Sequence, residues 1–372
     1  MKILYFITRS DEIGGAHIHV RDLAVRYQTL GHEVAVVVGG KGFYLDHLRD
    51  NGLKVYSLPY LRRSLNIFRD IYSLFSLLRI VRVFNPDIIS SHSAKAGILA
   101  RSLSFFCSSP VIFTAHGWSF ADGISFPRRQ IYLLIEKFFA HFADRIICVC
   151  QSDIDLALRY RVAPPNHFCL VYNGMPDLSQ DVSSVFKSSE SSDRVNILCT
   201  ARFEAQKDHS SLLLCLKKLE ELNWHLLLVG DGSGRSSVED FVDALNLASK
   251  VSFLGRISSR EVAMLCSQSD IFVLPSFWEG FPRSILEAMR SSLPVVATNV
   301  GGVSESVIHN ENGFLVQPSD IESWQHYLGI LIRDQDLRIR FGRKSRVLFE
   351  ENFLFDRMAS NTLSLYTTLL ES

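Results

Sequence analysis

Two carboxylates, Glu279 and Glu287 in the string EGFPRSILEA, are separated by seven residues. A strand-like run, Ile271 to Leu274, comes just before them, and Pro282 suits the first helical position, where its missing N–H costs nothing. The spacing predicts Glu279 in a loop at the sheet edge and Glu287 inside a helix, with its side chain leaning toward the helix start. A helix start favours anions because its first N–H groups are unpaired. The pattern therefore predicts a bound phosphate with hydroxyl acceptors beside it, which is the chemistry of a sugar nucleotide.

Two cations, Arg202 and Lys207, stand five residues apart in the string ILCTARFEAQKDHSSLL. The string reads as a buried strand, a loop and an amphipathic helix, and ligands of parallel sheets bind at such strand ends. A planar guanidinium and an ammonium group can together hold the two phosphates of a nucleotide sugar. A solvated loop with ordinary charges is the alternative, and the nearby glutamate pair favours the phosphate interpretation.

Two glycine-rich turns follow predicted strands. Gly14 and Gly15 in RSDEIGGAHIHV allow close backbone approach and positive φ, so they form either a plain tight turn or a flexible loop that contacts the donor diphosphate or the acceptor. The pair is not the G-x-G-x-x-G fingerprint, which disfavours a nicotinamide oxidoreductase. The second turn, VGDGSG at residues 229–234, is a weaker signal for a substrate-facing turn.

Two histidines follow predicted strands of the first half. His116 comes directly after the run VIFTA, at the position where the sheet presents residues to a ligand. A histidine there can hydrogen-bond a sugar hydroxyl or act as an acid or base, and a structural histidine is the alternative. His92 in SSHSAKAG has the same kind of position with weaker support. Asn173 and Gly174 end the last strand of this half, where a hinge turn is a sufficient explanation.

Length and composition limit the possible classes. A chain of 372 residues is too long for one typical core and fits two domains of about 150–200 residues. Lys+Arg and Asp+Glu are both 39, so no overall field attracts nucleic acid. The seven cysteines include no C-x-x-C pair, which favours buried free thiols in a reducing compartment over metal binding or disulfides.

The chain shows no membrane-spanning signal. The start, MKILYFIT, reads as a first buried strand, because its apolar run is too short for a signal peptide. No stretch of about 20 apolar residues occurs. Two basic, aromatic helices, residues 61–84 and 126–142, leave two interpretations open. They either pack on the sheet as ordinary domain helices or lie on an anionic membrane. We expect a cytoplasmic protein, with peripheral contact at the inner face of the plasma membrane as the open alternative.

Short apolar runs alternate with longer amphipathic ones, which is typical of parallel sheets covered on both faces. The predicted strands are residues 2–7, 33–38, 54–58, 87–91, 111–115, 145–149, 168–172, 195–200, 225–229, 251–254, 271–274, 294–298 and 314–316. The predicted helices are residues 16–29, 66–84, 94–105, 127–142, 208–222, 235–247, 259–267, 282–291, 302–308, 320–333, 335–350 and 355–370. A polar, serine-rich stretch at residues 176–194 interrupts the alternation and is interpreted as an interdomain linker.

The segment SFWEGFPRSILEAMRSSLPVVATNVGGVSESV, with TARFEAQKD upstream, resembles the retaining glycosyltransferases of family 4, which have the GT-B fold. The resemblance runs from the Gly14–Gly15 loop to the closing helices. The segments HSAKAGILAR, TAHGWSF, DRIICVCQSD and VYNG resemble bacterial members that build capsule, exopolysaccharide or O-antigen.

The resemblance implies an α/β architecture of two doubly wound Rossmann-like domains that face a central cleft. Residues 1–175 would form an acceptor-binding domain and residues 195–350 a nucleotide-sugar-binding domain, joined by the linker at 176–194. Residues 351–372 would form a C-terminal helix that returns to the first domain.

The resemblance also implies roles for the donor-binding residues. Arg202 and Lys207 would bind the donor diphosphate, Glu287 would hold the ribose hydroxyls, and Glu279 would contact the donor sugar. Backbone N–H groups of a short run would lie beside that sugar, namely Gly280, Phe281, Pro282 and Arg283.

The remaining implied contacts come from three other loops. His116 would face the reacting sugar, and Gly14 and Gly15 would lie by the phosphates. The nucleotide base would pack near Gly255 and Arg256 in the string FLGRIS. With Arg202, Lys207 and Glu279, His116 completes the expected catalytic set, and neither a metal nor a cofactor is expected.

The expected reaction is transfer of a hexose or HexNAc from a nucleotide sugar, with UDP as the expected nucleotide, and with retention of configuration. The expected acceptor is lipid-linked or a saccharide in capsule, exopolysaccharide or O-antigen synthesis. Two alternatives stay open. One is a GT-B-type nucleotide-sugar epimerase, and the other is a non-catalytic nucleotide-sugar-binding scaffold of a polysaccharide assembly complex.

Overall fold

The computed structural model describes residues 1–64, 66–121, 123–178 and 194–371. The chain divides into two compact units. The N-terminal unit comprises Met1–Asn173 and Met358–Ser372, and the C-terminal unit comprises Gly174–Arg357. Most of the predicted linker, residues 179–193, lies outside the described residues.

The N-terminal unit contains a seven-stranded parallel sheet with the strand order β3-β2-β1-β4-β5-β6-β7. Its strands are β1 Lys2–Ile7, β2 Glu33–Gly39, β3 Lys54–Leu58, β4 Ile88–His92, β5 Val111–Ala115, β6 Arg145–Cys148 and β7 Phe168–Leu170. The central strands are rich in β-branched residues and are buried along their length, as parallel strands between two helical layers must be.

Among the residues that the structure describes, seven helices belong to this unit. They are α1 Gly15–Thr29, α2 Phe43–Asp50, α3 Ile67–Phe84, α4 Ala94–Ser102, α5 Phe126–Ala140, α6 Gln151–Arg159 and, from the end of the chain, α13 Phe355–Glu371. Helix α13 is fixed to this unit by two buried tyrosines. Tyr27 Oη donates to the carbonyl oxygen of Ala359 at 2.8 Å, and Tyr366 Oη donates to Ser90 Oγ at 2.8 Å.

The C-terminal unit contains a six-stranded parallel sheet with the order β10-β9-β8-β11-β12-β13. Its strands are β8 Val195–Thr200, β9 Trp224–Val229, β10 Val251–Gly255, β11 Ile271–Leu274, β12 Val295–Thr298 and β13 Gly313–Val316. Its helices are α7 His209–Lys217, α8 Arg235–Ala244, α9 Ser259–Gln268, α10 Arg283–Arg290, α11 Ile321–Arg333 and α12 Gln335–Asn352. Its core includes the fully buried side chains of Trp224 and Trp324.

Each sheet has one point where the strand order reverses, between β1 and β4 in the first unit and between β8 and β11 in the second. Ligands of doubly wound sheets bind beyond the carboxyl ends of the strands at such a point. The reversal in the C-terminal unit places the loop after β8 beside the loop after β11. These are the loops that carry Arg202, Lys207 and Glu279.

The prediction of two doubly wound parallel sheets is confirmed. All thirteen strands lie within two residues of their predicted limits. The helix predicted over 302–308 is wrong, because Gly301–Glu305 forms a short 3-10 turn instead. Helices α2 and α6 were not predicted, since each spans fewer than ten residues and shows little more than two turns of periodicity.

Two predictions from composition can be compared with the structure. All seven cysteines are free thiols, as predicted, although Cys107 and Cys169 are half-buried rather than buried. Within the described part of the chain, no helix is both long enough and apolar enough to cross a membrane.

Candidate functional site

The loops after β8 and β11 are joined by backbone-directed hydrogen bonds. The N–H of Phe277 donates to the carbonyl oxygen of Gln206 at 2.8 Å, and Gln206 Nε2 donates to the carbonyl oxygen of Trp278 at 2.5 Å. Residues Ala205–Lys207 form a 3-10 turn, and Asp208 then caps α7 by accepting from the N–H of Ser211. The loop that carries Lys207 is therefore held against the loop that carries Glu279.

Lys207 and Glu279 form an ion pair in which Lys207 Nζ donates to Glu279 Oε1. Their side chains are only 13% and 9% exposed, so the pair is largely withdrawn from water. Ser276 Oγ donates to the same carboxylate oxygen at 2.6 Å. The structure thus brings together two residues that the sequence predicted at one site, and it adds Ser276, which the sequence reasoning missed.

Arg202 lies at the solvent-facing edge of the same loop. Its side chain is 58% exposed, and its Nη1 lies 3.0 Å from Glu204 Oε1. An exposed guanidinium in a surface ion pair is held weakly, so it can exchange its partner for a phosphate at small cost. Its position at the end of β8 agrees with the predicted role and leaves that role to be tested.

Glu287 lies in α10, and two arginines on the same helix stand near it. Burial raises the pKa of Glu287, while Arg283 and Arg290 oppose that shift. The guanidinium groups of Arg283 and Arg290 are near this carboxylate. Within the part of the chain that the structure describes, its oxygen atoms accept no hydrogen bond. This carboxylate is half-buried, and such a group can accept hydrogen bonds from hydroxyl groups of a ligand.

The start of α10 differs in detail from the prediction. Pro282 is the residue before the helix, with φ of −73°, and Arg283 is the first helical residue. Because proline has no N–H, the backbone donors of the predicted run are those of Gly280, Phe281 and Arg283 only. The ring of Phe281 is buried and lies 5.5 Å from the ring of Phe353, so its side chain serves packing.

The glycine pair Gly301–Gly302 supports the loop that carries Glu279. The N–H of Gly302 donates to the carbonyl oxygen of Gly280 at 2.8 Å. Gly301 has φ of +53°, and a Cβ atom there would lie 2.0 Å from the carbonyl oxygen of Glu279. Any larger residue would push the two loops apart, so this glycine helps to place the Glu279 carboxylate.

The turn VGDGSG lies against the backbone beside Arg202. Gly230 has φ of +140°, and a Cβ atom there would lie 2.0 Å from the carbonyl oxygen of Ala201. The N–H of Gly234 donates to the carbonyl oxygen of Phe203 at 2.9 Å. The close approach of two neighbouring strand-end loops therefore explains why glycines occur at these positions.

Gly255 is the last residue of the edge strand β10, and Arg256 follows it. Gly255 has φ of +67°, and its carbonyl oxygen accepts from the N–H of Gly230 at 2.9 Å. Arg256 is exposed. The hydrogen bond joins these residues to the same group of strand-end loops, and their predicted contact with the base stays a prediction.

Gly14 and Gly15 lie at the start of α1 in the N-terminal unit. Gly14 is the residue before the helix with φ of −122°, and Gly15 is the first helical residue. Neither glycine uses the positive φ that this residue type allows, because the chain enters the helix directly from an extended conformation. Both glycines are exposed, and the N–H of Gly14 donates to His17 Nδ1 at 3.2 Å.

His116 belongs to a cluster of three histidines at the carboxyl end of the N-terminal sheet. His92 Nδ1 lies 3.0 Å from His116 Nε2, and the ring of His19 packs edge-on against His116 at 4.8 Å between centroids. His19 Nδ1 lies 3.2 Å from Asn173 Oδ1. One nitrogen from each ring lies within 4.8 Å of the others, so these residues are also the group that could hold a metal ion.

The sequence singled out His116 and, less firmly, His92, but it missed His19. The missing signal lay in α1, where His17 and His19 are the two histidines that follow the glycine pair. Both are buried, and it is His19 whose ring packs against His92 and His116. A histidine on the buried face of a first helix suggests a polar cluster beneath it.

Two family models match the chain. The model described as glycosyl transferases group 1 matches residues 183–347, and the model described as glycosyl transferase 4-like domain matches residues 14–174. The chain belongs to the family 4-like glycosyltransferases of the GT-B fold. The residues that carried the sequence resemblance lie in strands, helices and strand-end loops of both units.

Individual relatives agree with this assignment. The chain is 26% identical over 320 residues to a UDP-Gal:α-D-GlcNAc-diphosphoundecaprenol α-1,3-galactosyltransferase of Escherichia coli, covering 82% of this chain and 81% of that protein. It is 23% identical to a capsular polysaccharide biosynthesis glycosyltransferase of Staphylococcus aureus, covering 84% of each chain. The crystal structure of Anabaena HepE in complex with UDP is similar in fold, with a TM-score of 0.84 at 20% identity over 99% of this chain and 100% of that one.

Proposed function

We propose that this glycosyltransferase moves a hexose or HexNAc from a UDP-sugar to a lipid-linked acceptor, with retention of configuration at the anomeric carbon. The arrangement around the start of α10 carries the proposal. There the Lys207–Glu279 pair, the exposed Arg202 and the half-buried carboxylate of Glu287 belong to adjoining strand-end loops and one helix. Cations and a helix start fit a diphosphate, and the two carboxylates fit sugar and ribose hydroxyls.

In the proposed reaction, the bond between the anomeric carbon and the diphosphate oxygen breaks, and the electron pair leaves with the diphosphate. Lys207, Arg202 and the N-terminus of α10 stabilise the charge that develops on that leaving group, which is usually the largest catalytic contribution. The acceptor hydroxyl attacks the same face of the sugar, so the configuration is retained. Its proton passes to an oxygen of the departing diphosphate, which balances the reaction without a protein nucleophile.

The donor assignment is supported by the relatives together with the site. The Escherichia coli relative is named for UDP-galactose, and HepE is described in complex with UDP. We place the uracil near Gly255 and Arg256, since their strand end joins the loop group that holds the cations. The ribose hydroxyls would donate to Glu287, and the sugar would lie by Glu279.

The acceptor assignment is supported by the same Escherichia coli relative, which is named for an acceptor sugar on a diphosphoundecaprenol lipid. The N-terminal unit would bind the acceptor, and His116 would face the reacting sugar. A lipid acceptor stays in the membrane, so the enzyme must reach the membrane surface. We therefore propose peripheral contact with the inner face of an anionic membrane.

Helices α3 and α5 supply a surface suited to such contact. At the start of α3, Phe68 is 86% exposed, Ile67 is 74% exposed and Phe75 is 63% exposed. On α5, Leu134 and Phe138 form a similar face and are 66% and 59% exposed. Both helices pack against α4 on one side of the sheet. Large apolar side chains grouped in this way mark an interaction surface rather than the scattered exposure of an ordinary domain helix.

The charges beside this surface favour anionic lipid as the partner. Arg62, Arg63, Arg69 and Arg79 are all exposed on α3 or on the segment before it, and Arg128 is exposed at the start of α5. Each arginine near an anionic membrane surface contributes about 1 kcal/mol of attraction, while the apolar side chains insert at the headgroup boundary. A partner protein could bind this surface only if it carried acidic groups around an apolar centre.

Vesicle flotation tests the membrane proposal. We expect the protein to float with vesicles that contain phosphatidylglycerol and to remain in the dense fraction with neutral phosphatidylcholine vesicles. The variant Phe68→Ser/Phe75→Ser should lose most of the binding, because it removes apolar insertion without altering charge. The matched control Ile339→Ser changes a residue on α12 that is 45% exposed, and it should float like the wild type. No flotation on anionic vesicles, with or without acceptor lipid, would exclude this role for the two helices.

A screen of nucleotide sugars by thermal shift tests the donor, because a ligand that binds only the folded protein raises its melting temperature. We expect one or two UDP-sugars to raise it and Glu287→Ala to weaken that response. Release of UDP without a glycosylated product would instead support the epimerase alternative. Binding of a donor with neither UDP release nor product on any acceptor would support the scaffold alternative.

A further inference from the structure

A chain of hydrogen-bonded side chains crosses the N-terminal unit and ends at His116. Tyr366 Oη donates to Ser90 Oγ at 2.8 Å, and Ser90 Oγ lies 3.2 Å from His92 Nε2. His92 Nδ1 then lies 3.0 Å from His116 Nε2. The chain links α13, β4 and the residue after β5, so the closing helix of the chain is connected to a residue of the proposed reaction site.

The inner part of this chain is sealed from solvent. Tyr366 and Ser90 are 0% exposed and His92 is 1% exposed, while His116 at the outer end is half-buried. In a low-dielectric interior an unsatisfied polar group is costly, so a continuous hydrogen-bonded chain strongly favours one arrangement of its protons.

The proton positions follow from the partners. Burial raises the pKa of Tyr366 to about 12, so its hydroxyl keeps its proton. It donates to Ser90 Oγ at 2.8 Å rather than to the more distant Tyr5 Oη at 3.5 Å. Among the described residues, Ser90 Oγ bonds only Tyr366 Oη and His92 Nε2, so its own proton is directed to His92 Nε2. Because His92 Nε2 accepts from Ser90, the proton of the His92 ring sits on Nδ1, which lies 3.0 Å from His116 Nε2 and donates to it.

We infer that His92 is a positioning residue which, held by Ser90 and Tyr366, fixes His116 as the Nδ1–H tautomer with a defined ring orientation. This inference rests on the proposed function, in which His116 faces the reacting sugar. In this tautomer the Nε2 of His116 accepts from His92, and Nδ1 carries the ring proton. His116 would then act by donating a hydrogen bond to an oxygen atom of the sugar rather than by taking a proton.

Long-range ¹⁵N–¹H spectra of the full-length protein with labelled histidine test the tautomer without any substrate. We expect His116 to give the pattern of an Nδ1–H imidazole in the wild type. In His92→Phe, which keeps a ring but removes both nitrogens, we expect a mixture of tautomers. An Nε2–H pattern for His116 in the wild type, or the same pure Nδ1–H pattern in the variant, would overturn the inference.

Kinetics test whether the positioning matters for transfer. Removing a positioned hydrogen-bond donor costs roughly 10²–10³ in rate, so loss of its orientation in His92→Phe should lower kcat by about 10- to 100-fold with the donor KM unchanged. His92→Asn should recover most of that loss, because its amide N–H can replace the Nδ1–H. Ser90→Ala should have a smaller effect. Tyr366→Phe should have the smallest, since the Ser90 hydroxyl can still reach His92.

The outcomes separate this inference from the proposed function. His326→Phe, an exposed change on α11, is the control and should transfer at the wild-type rate. If His116→Ala is inactive while His92→Phe is fully active, the positioning role is wrong and the proposed function stands. If His92→Asn is as slow as His92→Phe, although both melt like the wild type, the hydrogen bond is not the cause and the inference fails. If no donor gives a product, the proposed function fails, and the spectra still decide the tautomer.

Discussion

Removal of the Lys207 ammonium group should lower both the stability of the fold and the rate of transfer, and the two losses can be measured separately. In Lys207→Ala, the carboxylate of Glu279 stays largely buried and keeps only the hydrogen bond from Ser276. A hydrogen bond to a charged group contributes about 1.5–3 kcal/mol, and the remaining bond from Ser276 favours the lower half of that range, near 2 kcal/mol. For a domain of this size each kcal/mol changes the Tm by about 2–4 °C, so we expect a fall of about 4–8 °C.

The same change should lower kcat/KM for the donor by roughly 10²–10³, because Lys207 is proposed to stabilise the leaving diphosphate. Initial rates with donor well below its KM measure this loss. The double variant Lys207→Ala/Glu279→Gln removes the uncompensated charge, so it should recover most of the Tm and none of the rate. This separation identifies a catalytic cation rather than one that only supports the fold.

Lys217→Ala is the matched control, because Lys217 pairs with Glu220 on the exposed side of α7 with side chains 34% and 52% exposed. An exposed pair contributes less than about 1 kcal/mol, so Tm and rate should both stay near the wild-type values. A Lys207→Ala variant with near-wild-type kcat/KM at low donor concentration would refute the phosphate assignment. An unchanged Tm would refute the stabilising role of the ion pair.

Three further predictions concern pH and metal. Because burial raises the pKa of Glu287 and its ionised form accepts the ribose hydroxyls, UDP affinity should decline on acidification at a higher pH than an ordinary glutamate allows. Calorimetry should show this decline in the wild type and a flat profile in Glu287→Gln. Burial and the nearby Lys207 lower the pKa of His209 to about 4, so the unfolded state gains a proton first as pH falls from about 6.5. The free energy of unfolding measured in urea should fall by up to about 3 kcal/mol as the pH is lowered from about 6.5 to about 4. The variant His209→Phe should remove this pH dependence. Transfer should be unchanged after treatment with EDTA, and loss of activity restored by a divalent ion would contradict the metal-free mechanism.

The sequence was sufficient for most of the fold because the signals there are local. Buried parallel strands such as β1 and β11 are short apolar runs between polar turns, and no partner is needed to recognise them. The 3-10 turn at Gly301–Glu305 was misassigned because its glycines serve a tertiary contact with the Glu279 loop. A single sequence carries no sign of that contact.

The candidate site shows the same difference between local signals, which the sequence carries, and long-range contacts, which it does not. Glu279, Lys207 and His116 could be chosen from the sequence because each follows a strand, where a doubly wound sheet places its ligands. The Lys207–Glu279 pairing depends on the order of β8 and β11 in the sheet. The link from Tyr366 to His92 joins residues 276 positions apart at its first step, between Tyr366 and Ser90. Such long-range contacts follow from topology and not from spacing.

Product analysis on a GlcNAc-diphosphate-lipid acceptor, with the UDP-sugar selected by thermal shift, tests the central claim most directly. The account predicts a product heavier by one sugar, one UDP released for each product molecule, and an NMR spectrum in which the new anomeric proton keeps the donor's configuration. An inverted anomeric centre would contradict the retaining mechanism. UDP release without a glycosylated lipid would contradict the transferase assignment for this acceptor class.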